Sequence, residues 1–540
     1  MHLALLAALY AVAVALRYVP LTFSPMPFNV DGYPLTWVSA QIGATGSWQI
    51  QADVNRYSQL MPLYPLVWSV VAQLGGVGVL SAFQAVMPAV LATVVLPAYL
   101  LGVKASRSPV VGFASGLFIA VFGSFLFLTS AAMKEALGLL VLPTVILLFA
   151  ERADPRKRGL ALVLLLLMPF LSQLEDLLVL GMVAALVVLT HSRAISRGAF
   201  SARALLLDCV TGPALASLAY VYYAVVAMPN LNDVVAPDAL ALFLATVTLL
   251  TALLVRLRRA AWPGPGQRLV RPAGPILLVP IVAFAAILVN ARTELFAGVL
   301  PTQPALGPVL LAAAILVFFA FLGYQLVRRT TNHAGDVLFA MAVSPVALVL
   351  FAFLRGLDGL SQVLVYRSFD FLDYALAVLV GIGFAYAWGR LRPSKGAQLA
   401  LGATLVVALL ATTPMAYNSQ AVFGVNEVTT PAEFQAMSVL AALHPGSVAT
   451  DERLGYIATD WFGMNVSTAL PYLLAANESA SGFAYAVVED SWMTVGAQVH
   501  PQPNVVLTAP TLEAFLAANR VVYAAGPAGD RVYVVQILGS

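Results

Sequence analysis

Long apolar runs separated by short clusters of Lys and Arg set the strongest limit on what this chain can become. Runs such as 204–227 show no period-two alternation, which a membrane barrel requires, so the spanning elements are helices whose backbone groups are satisfied internally. With 61% of 540 residues hydrophobic and 10% charged, most of the chain has to lie in lipid, because a soluble fold could not solvate that surface. A net charge of +3, carried in loops, argues against nucleic acid as a partner. The single Cys209 leaves no disulfide framework and no cysteine metal site.

Hydropathy over a window of roughly 20 residues predicts about thirteen spans. They fall near 1–19, 81–103, 109–130, 133–150, 159–172, 174–190, 204–227, 239–255, 274–290, 307–327, 337–354, 371–388 and 399–415. The first is read as a span rather than a cleaved leader, since no basic segment precedes it and no small-x-small site follows; Arg17 would snorkel at its outer end. Alternate loops, around Lys104, Arg156, Arg197, Arg258, Arg328 and Arg392, hold 19 of the 28 Lys and Arg residues. Those loops are therefore cytoplasmic, which places the N-terminus inside and the C-terminus outside the plasma membrane. Residues 20–80 form the first external loop. Within it, Pro62–Gly76 reads as an interfacial or re-entrant helix, and a true span there would require a neighbouring pair to be split differently. From Ala416 onward hydropathy falls, and residues 416–540 read as a small extracytoplasmic α/β domain behind a membrane domain of residues 1–415. Its expected helices are Pro431–His444 and Thr511–Asn519; its expected strands are Ser447–Thr450, Asn504–Thr508, Arg520–Ala525 and Arg531–Ile537.

Charges pressed against apolar helices are the candidates for chemistry, because an ionised group there is costly without a partner or substrate. Asp31 follows the first span in a turn held by Gly32 and Pro34; residue type alone fits a helix cap before Tyr33 as well as a catalytic base. Asp53 shares that loop with Arg56, to which an i,i+3 ion pair would tie it. Glu135 opens a span after a very short hairpin, where it complements the helix dipole and stands at bilayer level. Glu175 and Asp176 lie at another helix break, either as a solvated tip or as a pair able to share a divalent cation or orient an acceptor hydroxyl. Arg367 opens a late span and Arg355 closes the one before; a guanidinium at the membrane surface suits a lipid phosphate, and a pair with Asp370 is the simpler account. The five His residues form no metal triad, and nucleotide-binding glycine motifs are missing.

These features together resemble the GT-C glycosyltransferases. The resemblance rests on Asp31 after the first span, Tyr64-Pro65-Leu66 leading into an apolar segment, Glu135 in Met133-Lys134-Glu135-Ala136, Arg367-Ser368-Phe369 opening a late span, and a soluble external domain after the last helix. It implies a polytopic helical membrane enzyme that moves a sugar from a polyprenyl-phosphate donor to an extracytoplasmic acceptor hydroxyl on a lipid, glycan or protein, with inversion. It also implies that Asp31 is the base or orients the acceptor, that Glu135 assists it or a divalent cation such as Mg or Mn, and that Arg367 contacts the lipid phosphate. Relatives of the oligosaccharyltransferase catalytic subunit look nearest. Their Trp-Trp-Asp-Tyr-Gly motif is missing, since Thr459-Asp460-Trp461-Phe462-Gly463 shares its composition but not its order. A transporter or flippase of lipid-linked glycans is the competing class; it would need charges along a path open to both sides rather than at one rim.

Overall fold

The computed structural model describes residues 2–48, 61–222, 237–260, 306–327, 333–356, 359–418, 426–499 and 504–538. Its membrane part comprises α1 (His2–Arg17), α2 (Gly32–Thr45), α3 (Leu63–Gly75), α4 (Val79–Leu91), α5 (Val95–Ser106), α6 (Pro109–Val121), α7 (Gly123–Ser130), α8 (Glu135–Ala150), α9 (Pro155–Leu167), α10 (Gln173–Ser196), α11 (Ala202–Cys209), α12 (Leu215–Tyr222), α13 (Pro237–Ala260), α14 (Leu306–Val327), α15 (His333–Arg355), α16 (Gly359–Arg390) and α17 (Lys395–Leu410). Among the described residues, eight helices are long and apolar enough to cross a membrane, or nine if the bent pair α6–α7 counts as one. The chain is a multi-pass helical membrane protein.

That count differs from the expected thirteen for physical reasons. α8 has 16 residues, about 24 Å at 1.5 Å per residue, short of a hydrocarbon layer about 30 Å thick. The run 204–227 is broken by Pro213, where a π turn over Val210–Ala214 separates α11 from α12. It also contains Asp208, which pairs with Arg152 at 2.7 Å. The span expected at 274–290 lies outside the described residues. Within residues 62–76, α3 has 13 residues, about 20 Å, too short to cross.

Arg17 does not snorkel. It is buried, and its guanidinium donates to the carbonyls of Ala13 at 3.2 Å, Ile119 at 3.3 Å and Ala120 at 3.4 Å. The chain bends by 61° between α6 and α7, and the last carbonyls of α6 take their hydrogen bonds from Arg17.

The C-terminal part contains α18 (Pro431–Ala442), β1 (Val448–Ala449), α19 (Glu452–Tyr456) with a π turn over Ile457–Trp461, β2 (Val466–Ser467), β3 (Tyr485–Glu489), α20 (Ala509–Ala518), β4 (Arg520–Ala525) and β5 (Val532–Gln536). The sheet order is β2-β1-β3-β5-β4. β1 is parallel to β2 and β3, while β5 is antiparallel to β3 and β4. The expected strand at 504–508 is only a bridge between Ala497 and Val505. Alternation along β3 sends Ala486 and Val488 into one core with Trp492 and Phe515, and Val487 into another with Leu440, Ile457 and Val534. The second core includes Tyr33 of α2, so the sheet layer is packed onto the first loop of the membrane part.

At the end of the bundle where α8 finishes, the basic clusters are ion-paired rather than merely solvated. Asp208 takes Arg152 at 2.7 Å and His191 at 2.9 Å, Arg193 lies 2.7 Å from Asp336, and Glu151 is shared by Lys104 and Lys157.

Candidate active site

The first loop is held at the N-terminal end of α8 by backbone contacts. The Ala132 amide donates to the Phe28 carbonyl at 2.7 Å. Gly32 lies so close that an added Cβ would come within 2.5 Å of the Ala132 Cβ and 2.8 Å of the Pro27 Cβ, so only glycine permits this approach. Asn29 turns the loop in the left-handed region at φ +82°. Its side chain stabilises the turn from both sides, accepting from the Asp31 amide at 2.7 Å and donating to a Glu427 carboxylate oxygen at 2.9 Å. The Asn29 amide also donates to the Glu427 carbonyl at 3.0 Å.

Asp31 occupies the N-cap position of α2 but makes no side-chain capping bond. Its carboxylate faces Arg367 instead, at 3.9 Å, with 47% of the Asp31 side chain exposed against 13% for Arg367. The capping account of Asp31 therefore fails on geometry. Arg367 is not at the start of its helix: α16 begins at Gly359, eight residues earlier, and the guanidinium reaches back across 234 residues of sequence to lie 4.0 Å from the Met133 sulfur.

Glu135 begins α8 buried, and the charges of Arg367 and Lys134 act on it more strongly than those of any other residue. Behind it, Tyr64 is fully buried in a cluster with Leu35, Trp68, Phe83, Ala132 and Ala136, and Trp68 stacks on Phe83 at 4.0 Å. This is the structural work of the Tyr64-Pro65-Leu66 stretch. One turn along α8, an added Cβ on Gly138 would meet the Glu175 carboxylate at 2.5 Å. Glu175 and Asp176 are thus inside the bundle, both wholly buried, and not a solvated tip. Their carboxylate oxygens have no hydrogen-bond partner among the described residues. Asp370 accepts from the Ser124 hydroxyl at 3.1 Å. Asp373, one turn deeper, is buried.

Two further acidic groups come from the C-terminal part. Glu427, already tied to Asn29, has its carboxyl raised to about 8 by burial and by the Asp31 charge, against the pull of Arg367. Asp460, beyond α19, is raised to about 7 by burial and by Asp31. Asp31 itself is raised above the ordinary carboxylate range by the protein crowded around it, with Arg367 opposing and Glu135 reinforcing the shift. Sequence reading had missed Glu427, which sits in a polar linker with no periodic signal. Asp460 had been noted only within its five-residue stretch. The stretch around it packs through aromatic contacts: Tyr33 stacks on Phe434 at 6.0 Å, and Phe434 meets Phe462 at 5.4 Å and Trp461 at 6.2 Å with the rings tilted.

Asp31, Glu135 and Arg367 are therefore brought to one rim, with Glu175 directly behind. Arg355 ends α15 half-buried, and the cations acting most strongly on Asp31 and Glu135 are Arg367 and Lys134. Asp53 lies outside the described residues. Among the described residues no group of three or more His, Cys, Asp or Glu side chains is arranged to hold a metal ion. Chemically, the rim offers a half-exposed carboxylate beside a fixed guanidinium, which can take a proton from one reactant and hold negative charge on another.

No protein-family model and no curated protein matches the chain. Among solved structures, it is similar to the Archaeoglobus fulgidus oligosaccharyltransferase tethered to an acceptor peptide containing an NVT sequon. That alignment has a TM-score of 0.56 and 15% identity, covering 98% of this chain and 74% of that one. The same enzyme in complex with Zn and sulfate aligns with a TM-score of 0.55 and 14% identity, covering 98% and 72%. The chain shares the fold of this oligosaccharyltransferase along almost its whole length.

Proposed function

We propose that this protein is a membrane glycosyltransferase that moves a sugar from a polyprenyl-phosphate donor to an acceptor hydroxyl on the outer side of the membrane. The observation that carries this reading is the placement of Arg367 3.9 Å from Asp31, at the rim where α8 begins with Glu135. The shared fold with an oligosaccharyltransferase supports it.

In this mechanism the acceptor oxygen attacks the anomeric carbon as Asp31 takes its proton. The bond from that carbon to the phosphate oxygen breaks, polyprenyl phosphate leaves, and the configuration inverts. Arg367 holds the departing phosphate with charge-assisted hydrogen bonds, which strengthen as negative charge develops on it. Glu135 keeps Arg367 oriented, and its negative charge raises the proton affinity of Asp31, which makes Asp31 the better base. Glu427, through Asn29, fixes the turn that carries Asp31. Glu175 and Asp176, buried behind Glu135, take no part in the transfer step as written. The basic loops, cytoplasmic by the positive-inside tendency, put this rim and the sheet layer outside.

The test is to incubate the purified full-length protein with a panel of polyprenyl-phosphate sugars and follow donor consumption. Consumption of at least one donor with release of polyprenyl phosphate supports the reading. A panel left intact by protein that still binds polyprenyl phosphate would favour lipid transport instead.

A further inference from the structure

We propose that a cleft at the basic end of the bundle, remote from the rim just described, binds the phosphate of an anionic membrane phospholipid. The cleft has a volume of about 270 Å³ and lies between the C-terminal ends of α5 and α8 and the first turn of α15. Lys104, Arg107, Glu151 and His333 line one part of it, and Leu101 and Val337 another. α8 runs from Glu135 at the rim to this cleft over 16 residues. That is about 24 Å, so the two sites lie at opposite ends of α8.

The charges around the cleft favour an anion. Glu151 is already shared between Lys104 and Lys157, which leaves that trio with one positive charge in excess. Arg107 adds another, is exposed, and makes no ion pair among the described residues. Its backbone is unusual: Arg107 ends α5 in the left-handed region at φ +59°, a position where glycine relieves the contact between Cβ and the backbone. A guanidinium is thus kept at the cleft where helix geometry alone would favour Gly. The first turn of α15 brings its positive dipole end to the same place, since Ala334 also lines the cleft. His333 adds no charge, because its Nε2–H donates to the Ala150 carbonyl at 2.6 Å and its Nδ1 accepts from Arg193 at 3.3 Å.

The apolar flank distinguishes the source of the phosphate. A free phosphate gains nothing from Leu101 and Val337, whereas a phospholipid places its glycerol and first methylenes against them. Basic pockets between helices on the cytoplasmic side suit such headgroups, at about 1 kcal/mol for each Lys or Arg near the surface, or about fivefold in affinity.

The full-length protein in detergent is titrated with phosphatidylglycerol, phosphatidylcholine or inorganic phosphate, and bound lipid is counted by native mass spectrometry. Phosphatidylglycerol should be retained over phosphatidylcholine by about fivefold or more. Arg107→Gly should remove about that factor while the protein melts at the same temperature or higher, since glycine suits the backbone there. Arg390→Ala is the control: Arg390 ends α16 at the same face but rests on Tyr386, 5.2 Å from its ring, and its loss should leave lipid retention unchanged. Equal retention of both lipids, or wild-type retention by Arg107→Gly, would overturn the proposal. So would an equal loss in Arg390→Ala, which would mean diffuse surface charge, or displacement of the lipid by equimolar inorganic phosphate, which would mean a free-phosphate site.

Discussion

The two ends of the bundle handle charge in opposite ways. Where α8 finishes, the buried ions named above are partnered: Arg152 and His191 meet on Asp208, and Arg193 lies against Asp336. Where α8 begins, carboxylates outnumber cations. Asp31, Glu135, Asp370, Glu427 and Asp460 surround Arg367 and Lys134, and behind them Glu175 and Asp176 are buried without hydrogen-bond partners among the described residues. A partnered buried ion fixes how helices sit against one another, and removing one partner is costly. A surplus of crowded carboxylates lowers stability and persists where chemistry uses it. The same residue types thus do structural work at one end and are poised to react at the other.

The largest effect expected from this contrast is on turnover. Asp31→Asn should reduce transfer by about a hundred- to ten-thousand-fold, the span that general-base catalysis supplies, with an unchanged melting temperature. A variant that transfers at the wild-type rate would remove Asp31 from the chemistry. Arg152→Ala should do the reverse, taking the nearest cation from Asp208, which keeps His191 at 2.9 Å and Arg158 at 3.6 Å, and costing about 1–3 kcal/mol of stability. The fraction that still folds should transfer normally, and a folded but inactive Arg152→Ala would break the contrast between the two ends. Arg367→Ala should weaken polyprenyl-phosphate binding by about ten- to a hundredfold, the worth of hydrogen bonds to a charged group, as measured by lipid-phosphate binding. Unchanged affinity would contradict the placement of the donor phosphate.

The smallest expected effect concerns pH. The folded Glu427 carboxyl titrates at about 8, against about 4.3 in an unfolded chain. Between those values the folded protein holds the extra proton, so this group favours the fold most at low pH, and that contribution fades as pH rises towards 8. Glu427→Gln keeps an acceptor for Asn29 and cannot ionise. It should therefore flatten the fall in melting temperature between about pH 5 and 8 and leave the low-pH value in place; an unchanged slope would show that Glu427 does not carry it.

Much of the architecture was legible in the sequence because lipid enforces it. α8 is the run 133–150 less its first two residues, and α18 is Pro431–His444 less its last two, since apolar content marks the first and proline at the first turn the second. Among the described residues, the expected spans and the helices part company where composition hides interruption. Asp208 and Pro213 inside 204–227 split a run that averages apolar, and the partners Arg152, Arg158 and His191 account for the buried charge. Asp31, Glu135 and Arg367 were legible as ionisable groups beside apolar helices. Their meeting was implied by the family resemblance and by no local pattern, because Arg367 reaches Asp31 across 336 positions. Glu427 was invisible for the same reason: its value lies in a contact with Asn29, 398 positions away, and nothing in its own neighbourhood announces it. Arg17 misled because an Arg after an apolar run ordinarily reaches for water, whereas here the end of α6 supplies carbonyls for it.

The central claim is that a lipid phosphate and Asp31 meet at one rim. It is tested most directly by photolabelling the full-length protein with a polyprenyl phosphate carrying a photoreactive group on its first isoprene unit, followed by peptide mapping. The account predicts crosslinks to the segments holding Asp31, Met133–Glu135 and Arg367, all competed away by unlabelled polyprenyl phosphate. Competable crosslinks confined to other segments, with these three unlabelled, would contradict it.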